Sequence, residues 1–242
     1  HGKTSLAMTM LYNSAVNYGV KCGFISHEMT TEQIMARFAA YSTGLSAKYL
    51  LVGKLYDSEL DQFNRKISGL ISSNIFIQDY ISRDLNCTVN AIRLMVMQKS
   101  IKWIVVENAG NIAVKGRIED EARTAEISKT MKALALELNI TIILISHLNR
   151  DSAKKQPGLN RLRHSGQLEA DADVVMFVWR PSIYGIDMFE ENGYSTDNRA
   201  KVYIAKGRNY GLGQSFPYFD EQTTYFTNDD SNTYKQDDGE VF

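Results

Sequence analysis

The 242-residue sequence is poor in cysteine: it has two, Cys22 and Cys87, at no paired spacing. That argues against a disulfide framework and suits a reducing cytosol. Its four histidines, His1, His27, His147 and His164, are scattered along the chain. They leave no metal-ligand spacing from which a zinc site can be read. No apolar run approaches the roughly 20 residues that span a bilayer. The longest, around ITIILIS, reads as one buried strand. No secretory signal is visible, so no membrane and a cytoplasmic location are expected. An excess of one charge is missing too, with 27 Lys and Arg against 28 Asp and Glu. No protein-wide basic field is therefore available, and any contact with nucleic acid must come from a local patch.

What is present is enough for one large α/β domain with a sizeable core. The pattern predicts a helix over Lys3–Tyr18, a strand at CGFIS (Cys22–Ser26) and a helix from Thr30 to about Gly44, with Gln33 completing a capping box. A second helical stretch follows near Asp57, then a strand at IFIQD (Ile75–Asp79), a helix over Thr88–Ser100 and a buried strand at KWIVVE (Lys102–Glu107). A long helix over Glu119–Leu138 carries Ile127, Met131, Leu134 and Leu138 on one face. TIILIS (Thr141–Ser146) and DVVMFVW (Asp173–Trp179) read as strands, and Ala200–Phe226 is β-rich, with a hairpin around GRNYGLG. Alternating strands and helices predict a mainly parallel sheet with helices on both faces and an antiparallel C-terminal edge. The domain is expected over residues 1–226. The polar, acidic residues 227–242 are expected to be disordered.

In such a sheet, ligands gather beyond the carboxyl ends of the strands, and the chemically capable residues follow strands. The opening HGKTS has the form of the end of a phosphate loop, G-x-x-x-x-G-K-[ST]. On that reading the backbone at Gly2 approaches phosphate oxygens, and Lys3 reaches the β- and γ-phosphates of ATP. The Thr4 hydroxyl ligates Mg²⁺, and with Ser5 a helix begins whose dipole faces the anion. The sequence is then expected to begin inside the motif, with the rest of the loop and its strand upstream. Glu28, in FISHEMT, is placed to orient and deprotonate a water attacking the γ-phosphate; the bland alternative is a favourable charge at a helix start. Glu107, at the end of WIVVE, stands where P-loop ATPases hold the metal shell, or is a solvated acid at a strand end. His147, in LISHLNR, is a γ-phosphate sensor or a structural histidine. Lys206 and Arg208 in KGRN fall on one face of a strand entering a turn. They suit a polyphosphate, ideally one bound by a neighbouring subunit, or are ordinary hairpin charges. From Arg150 to His164, five cations (Arg150, Lys154, Lys155, Arg161 and Arg163) face Asp151 alone, forming a basic loop that is either solvated or a nucleic-acid contact.

The order GKTS, SHEMT, WIVVEN, ISHLNR, LRHSGQLEADADVVMFVWR and KGRN closely resembles the C-terminal motor domain of DnaB-type replicative helicases, from Gly2 to about Phe219. The resemblance implies a RecA-like P-loop NTPase fold and a hexameric ring around single-stranded DNA, with ATP and Mg²⁺ at subunit interfaces. It makes Glu28 the catalytic glutamate and Glu107 a metal-associated acid. Lys206 and Arg208 become the pair reaching into the neighbour's ATP, with Arg208 as arginine finger. Arg163, His164 and Gly166, in LRHSG, inherit contact with the DNA backbone. It also implies an upstream region that meets primase or a loader.

This sequence departs from the family pattern in several places. Glu107 replaces the usual aspartate, His147 a frequent glutamine and His164 a usual glutamate, and the run ENAGN replaces a more hydrophobic continuation. The resemblance is thus to a divergent, phage-type member. Two alternatives stay open: another RecA-like DNA-dependent ATPase of recombination or branch migration, and a nucleotide-binding scaffold subunit without turnover.

Overall fold

In a computed structural model, which describes residues 1–79, 82–116, 119–147, 155–159, 166–209 and 211–228, CGFIS becomes β1 (Cys22–Ser26), with every residue buried. Its two neighbours are β2 (Ile75–Gln78) and β3 (Trp103–Glu107), and β4 (Thr141–Leu144) lies beyond β3. All pair in parallel, in the order β2-β1-β3-β4. A parallel strand covered on both faces needs an unbroken apolar run rather than an alternating one, and β1 and β3 supply it. Gly23 is the close approach in the middle of this sheet, because a Cβ there would lie 2.9 Å from the Ile104 side chain.

Successive residues of β1 feed opposite layers. Phe24 packs with Met8, Leu11, Ile34 and Phe38 from α1 (Lys3–Tyr12) and α2 (Thr31–Thr43). Ile25 packs with Ile92, Ile104, Ile127 and Met131 from α6 (Leu85–Lys99), β3 and α7 (Asp120–Leu138). Between α2 and β2 run three short helices, α3 (Ala47–Val52), α4 (Asp57–Lys66) and α5 (Ser68–Ile71). The α2 capping box forms as read: the Gln33 N–H donates to Thr30 Oγ1 and the Thr30 N–H to Gln33 Oε1. The predicted helix over Lys3–Tyr18 is α-helical to Tyr12 and continues as a π-helical turn over Asn13–Asn17. The helix expected from Thr88 starts at Leu85 instead, because the Asp84 side chain accepts the Asn86 N–H and caps it.

The C-terminal strands are antiparallel, as expected. After α8 (Gly166–Asp171) come β5 (Val174–Trp179), β6 (Lys201–Gly207) and β7 (Gly213–Ser215), which form one ladder. β8 (Tyr218–Asp220) and β9 (Tyr225–Thr227) form another. β9 is fixed onto α1, where the Phe226 N–H donates to Thr9 Oγ1 and the Tyr225 hydroxyl to Asn13. Among the described residues β4 and β5 are not paired with each other. Both line a cavity of about 1250 Å³ that also reaches His1 and Gly2. No helix among the described residues is long and apolar enough to cross a membrane.

Candidate functional site

The parallel register brings three strand ends to one edge. Ser26 is level with Glu107 and Val106 with Leu144, so His27–Glu28, Glu107–Asn108 and Ser146–His147 emerge side by side. The N-terminus of α1 meets them there. Gly2 takes a left-handed φ of 91° as the residue before that helix. A Cβ on it would press on Val178 and Phe226 at 3.3 and 3.4 Å, so both conformation and space call for glycine. Among the described residues no side chain caps α1 and no acid lies in its first turn, which leaves its first N–H groups and positive dipole end available to an anion. Lys3, Thr4 and Ser5 form that turn, with Ser5 buried.

Thr4 donates its hydroxyl proton to Glu107 Oε1. Glu107 is 3% exposed, and its other oxygen, Oε2, is buried without a hydrogen-bond partner among the described residues. Burial raises the pKa of this carboxyl, against the opposing effect of the Thr4 hydrogen bond. Lys3 is partly buried, which lowers the pKa of its ammonium, while the charges of Glu107 and Glu28 oppose the shift. A buried carboxylate with an unanswered oxygen is costly. A hydroxyl, a carboxylate and room for phosphate oxygens are the donor set of a magnesium site that keeps part of its water. The donors fit a divalent cation.

Glu28 is half-exposed. Its Oε2 accepts from Asn108 Nδ2 at 2.6 Å and lies 3.9 Å from His147 Nε2. Burial and the charge of Lys3 push His147 toward its neutral form, opposed by Glu28. Lys3, Thr4, Glu28, Glu107 and His147, nominated separately from the sequence, therefore form one cluster.

Lys206 and Arg208 lie elsewhere. β6 ends at Gly207, so Arg208 stands just beyond the strand rather than on it. Both side chains donate to the Ala170 carbonyl, at 3.3 and 2.9 Å, and Lys206 also to that of Glu169. These are the free carbonyls at the end of α8, where cations are favoured. Arg208 is also 3.5 Å from Asp173, whose other oxygen pairs with Lys132. Gly166 opens α8 and is exposed. Arg163 and His164 lie outside the described residues.

Over residues 1–228 the chain matches the model of the DnaB-like helicase C-terminal domain. It belongs to that family. The DnaB-like assignment has support from relatives of known name. A probable plasmid replicative DNA helicase of Chlamydia trachomatis is 32% identical, over 93% of this chain and 48% of its own length. The replicative DNA helicase DnaB of Geobacillus stearothermophilus is 28% identical, over 94% of this chain and 50% of its own. The chain thus spans about half the length of the curated relatives it matches. Among solved structures, one of a DnaB-like replicative helicase and its interactions with primase has a TM-score of 0.78 at 23% identity, covering 93% of this chain and 54% of that one. A solved ATPase domain gives 0.82 at 22%, covering 94% and 80%. These two structures support the RecA-like fold.

Two residues beside this cluster were not singled out from the sequence. One is Asn108. The other is Arg180, at the end of β5. It is 9% exposed, with its guanidinium 4.1 Å over the Phe219 ring and 2.5 Å from Glu221. Its Cδ lies 3.6 Å from where a Gly2 Cβ would be. The available signal was position, since each directly follows a strand.

Proposed function

We propose that this chain is the ATP-hydrolysing motor of a replicative DNA helicase, working in a ring on single-stranded DNA. The observation that carries the reading is the meeting of Lys3 and Thr4, at an uncapped helix start, with Glu107, Glu28 and His147 at three parallel strand ends. Lys3 and the free N–H groups of α1 bind the triphosphate. Thr4 and Glu107 hold Mg²⁺, which when bound supplies charge neutralisation on the phosphates. Glu28 accepts the proton of the attacking water, with His147 beside it to sense the γ-phosphate. The cavity lined by β4, β5 and Gly2 supports the phosphate-loop reading of Gly2, because among the described residues β4 and β5 are not paired with each other there.

On this reading Lys206 and Arg208 serve the ATP of the adjacent subunit, and the basic loop with Arg163, His164 and Gly166 follows the DNA backbone. A primase or a loader meets other parts of the protein; the DnaB-like helicase of similar fold is described together with primase. The test is strand displacement on a forked duplex by the full protein with ATP. Displacement is the expected outcome. ATP-driven strand exchange without displacement points to a recombination factor, and nucleotide binding without turnover points to a scaffold.

A second expectation concerns Arg163. Cations without base-reading geometry bind through phosphates, so affinity for single-stranded DNA falls with salt and varies little with sequence. Arg163→Ala weakens DNA binding in a fluorescence titration and blunts DNA stimulation of turnover, with nucleotide affinity intact. Unchanged DNA affinity, or strong sequence dependence, moves the DNA contact elsewhere.

A further inference from the structure

The turn after β3, Asn108–Asn111, sits against the residue on which hydrolysis depends in the reading above. Asn108 is 3% exposed, and its Nδ2 meets Glu28 Oε2 at 2.6 Å. An ionised carboxylate only accepts hydrogen bonds, so the amide must present its NH₂ group to it. Such charge-assisted bonds are short and comparatively strong. Glu28 is a half-exposed side chain on a loop, and this is a buried donor from the turn after β3.

Asn108 is itself fixed. Its Oδ1 is buried beside Gly110, where a Cβ would lie 3.0 Å away, and has no hydrogen-bond partner among the described residues; glycine leaves that space open, and the backbone on either side does the fixing. The next residue, Ala109, donates its N–H to the Ile145 carbonyl at the end of β4, at 2.8 Å. Asn111 Nδ2 donates to the carbonyl of His27, the residue before Glu28, at 3.3 Å. The His27 N–H donates to the Glu107 carbonyl at 2.7 Å. From α7, Arg123 donates to the Gly110 carbonyl at 3.2 Å. The short turn after β3 therefore ties the Glu28 loop to the ends of β3 and β4.

We infer that Asn108 is a positioning residue, which holds the Glu28 carboxylate where a water attacking the γ-phosphate must be met, and that the turn through Asn111 keeps Asn108 in place. This rests on the reading of Glu28 as general base. Asn108 does not touch substrate in this role; it acts through Glu28 alone.

The test measures kcat, KM for ATP and the Mg²⁺ midpoint in the full protein, for Asn108→Ala alone and combined with Glu28→Gln. A misplacement of about 1 Å can cost 10²-fold in rate, so Asn108→Ala is expected to lower kcat by roughly 10–100-fold. KM and the Mg²⁺ midpoint should stay near wild type. In the Glu28→Gln background the same change adds no further loss, because two residues acting as one unit are not additive. Asn108→Gln, which keeps the donor, recovers part of kcat, and Asn108→Leu, of similar branched shape without it, does not. If Asn108→Ala fails to fold, Gly110→Ala tests the same contact by crowding the amide, with a smaller kcat loss at unchanged KM.

Equal losses in both backgrounds, or a shifted Mg²⁺ midpoint, overturn the inference, since Asn108 would then act on the fold or on Glu107. Near-normal turnover in Asn108→Ala beside an inactive Glu28→Gln overturns it while leaving the general base in place. Turnover surviving in Glu28→Gln removes the base, and this inference falls with it.

Discussion

Mixing two inactive proteins, one carrying Lys3→Ala and the other Arg208→Ala, restores part of the ATP turnover. The expectation follows from where Arg208 sits. Within its own chain it bonds the Ala170 carbonyl at the end of α8 and approaches Asp173. Lys3 and Thr4 stand at the far end of the chain, against Glu107. A guanidinium that completes the charge on a transferring phosphoryl group can be worth 10³–10⁵ in rate. Arg208→Ala alone then loses about that factor, and Lys3→Ala alone loses a group that binds the triphosphate. In a ring, every interface repeats the same head-to-tail contact. With random mixing at equal amounts, about one interface in four then joins an intact Lys3 to an intact Arg208. A finger acting within its own chain gives no recovery at any mixing ratio, because every chain then lacks half of its own site. For the same reason, turnover by the unmutated protein should rise steeply with protein concentration as subunits meet.

The parts of the fold that were legible are those in which one physical requirement dominates. CGFIS and WIVVE must be strands, because unbroken apolar runs of that length suit a sheet covered on both faces; both appear where read. Thr30 and Gln33 announced a helix start because the cap is local. The short helices α3 and α5 were not legible. α3 buries no residue and has no side-chain cap, so neither periodicity nor capping marks it. The cluster of Lys3, Thr4, Glu28, Glu107 and His147 was legible through topology, since parallel strands deliver their C-terminal residues to one edge. The roles of Asn108 and Arg180 were not. The partner of Asn108 lies 80 residues away and that of Arg180 41 residues away. An asparagine or arginine at a strand end does not name a partner at that distance.

Glu28→Gln tests the central claim most directly, by separating ATP binding from ATP hydrolysis. Glutamine keeps the size of the side chain and can still hydrogen-bond to Asn108, but it has no basic oxygen. Lys3, Thr4 and Glu107, the groups read as holding the nucleotide and its cation, are left untouched. Loss of a general base typically costs 10²–10⁴-fold in rate. The measurement is ATP affinity by calorimetry and single-stranded-DNA-stimulated phosphate release on the same full-protein preparation. The account predicts wild-type affinity with turnover reduced by about 10²–10⁴-fold. Wild-type turnover in Glu28→Gln, or affinity lost along with turnover, contradicts it.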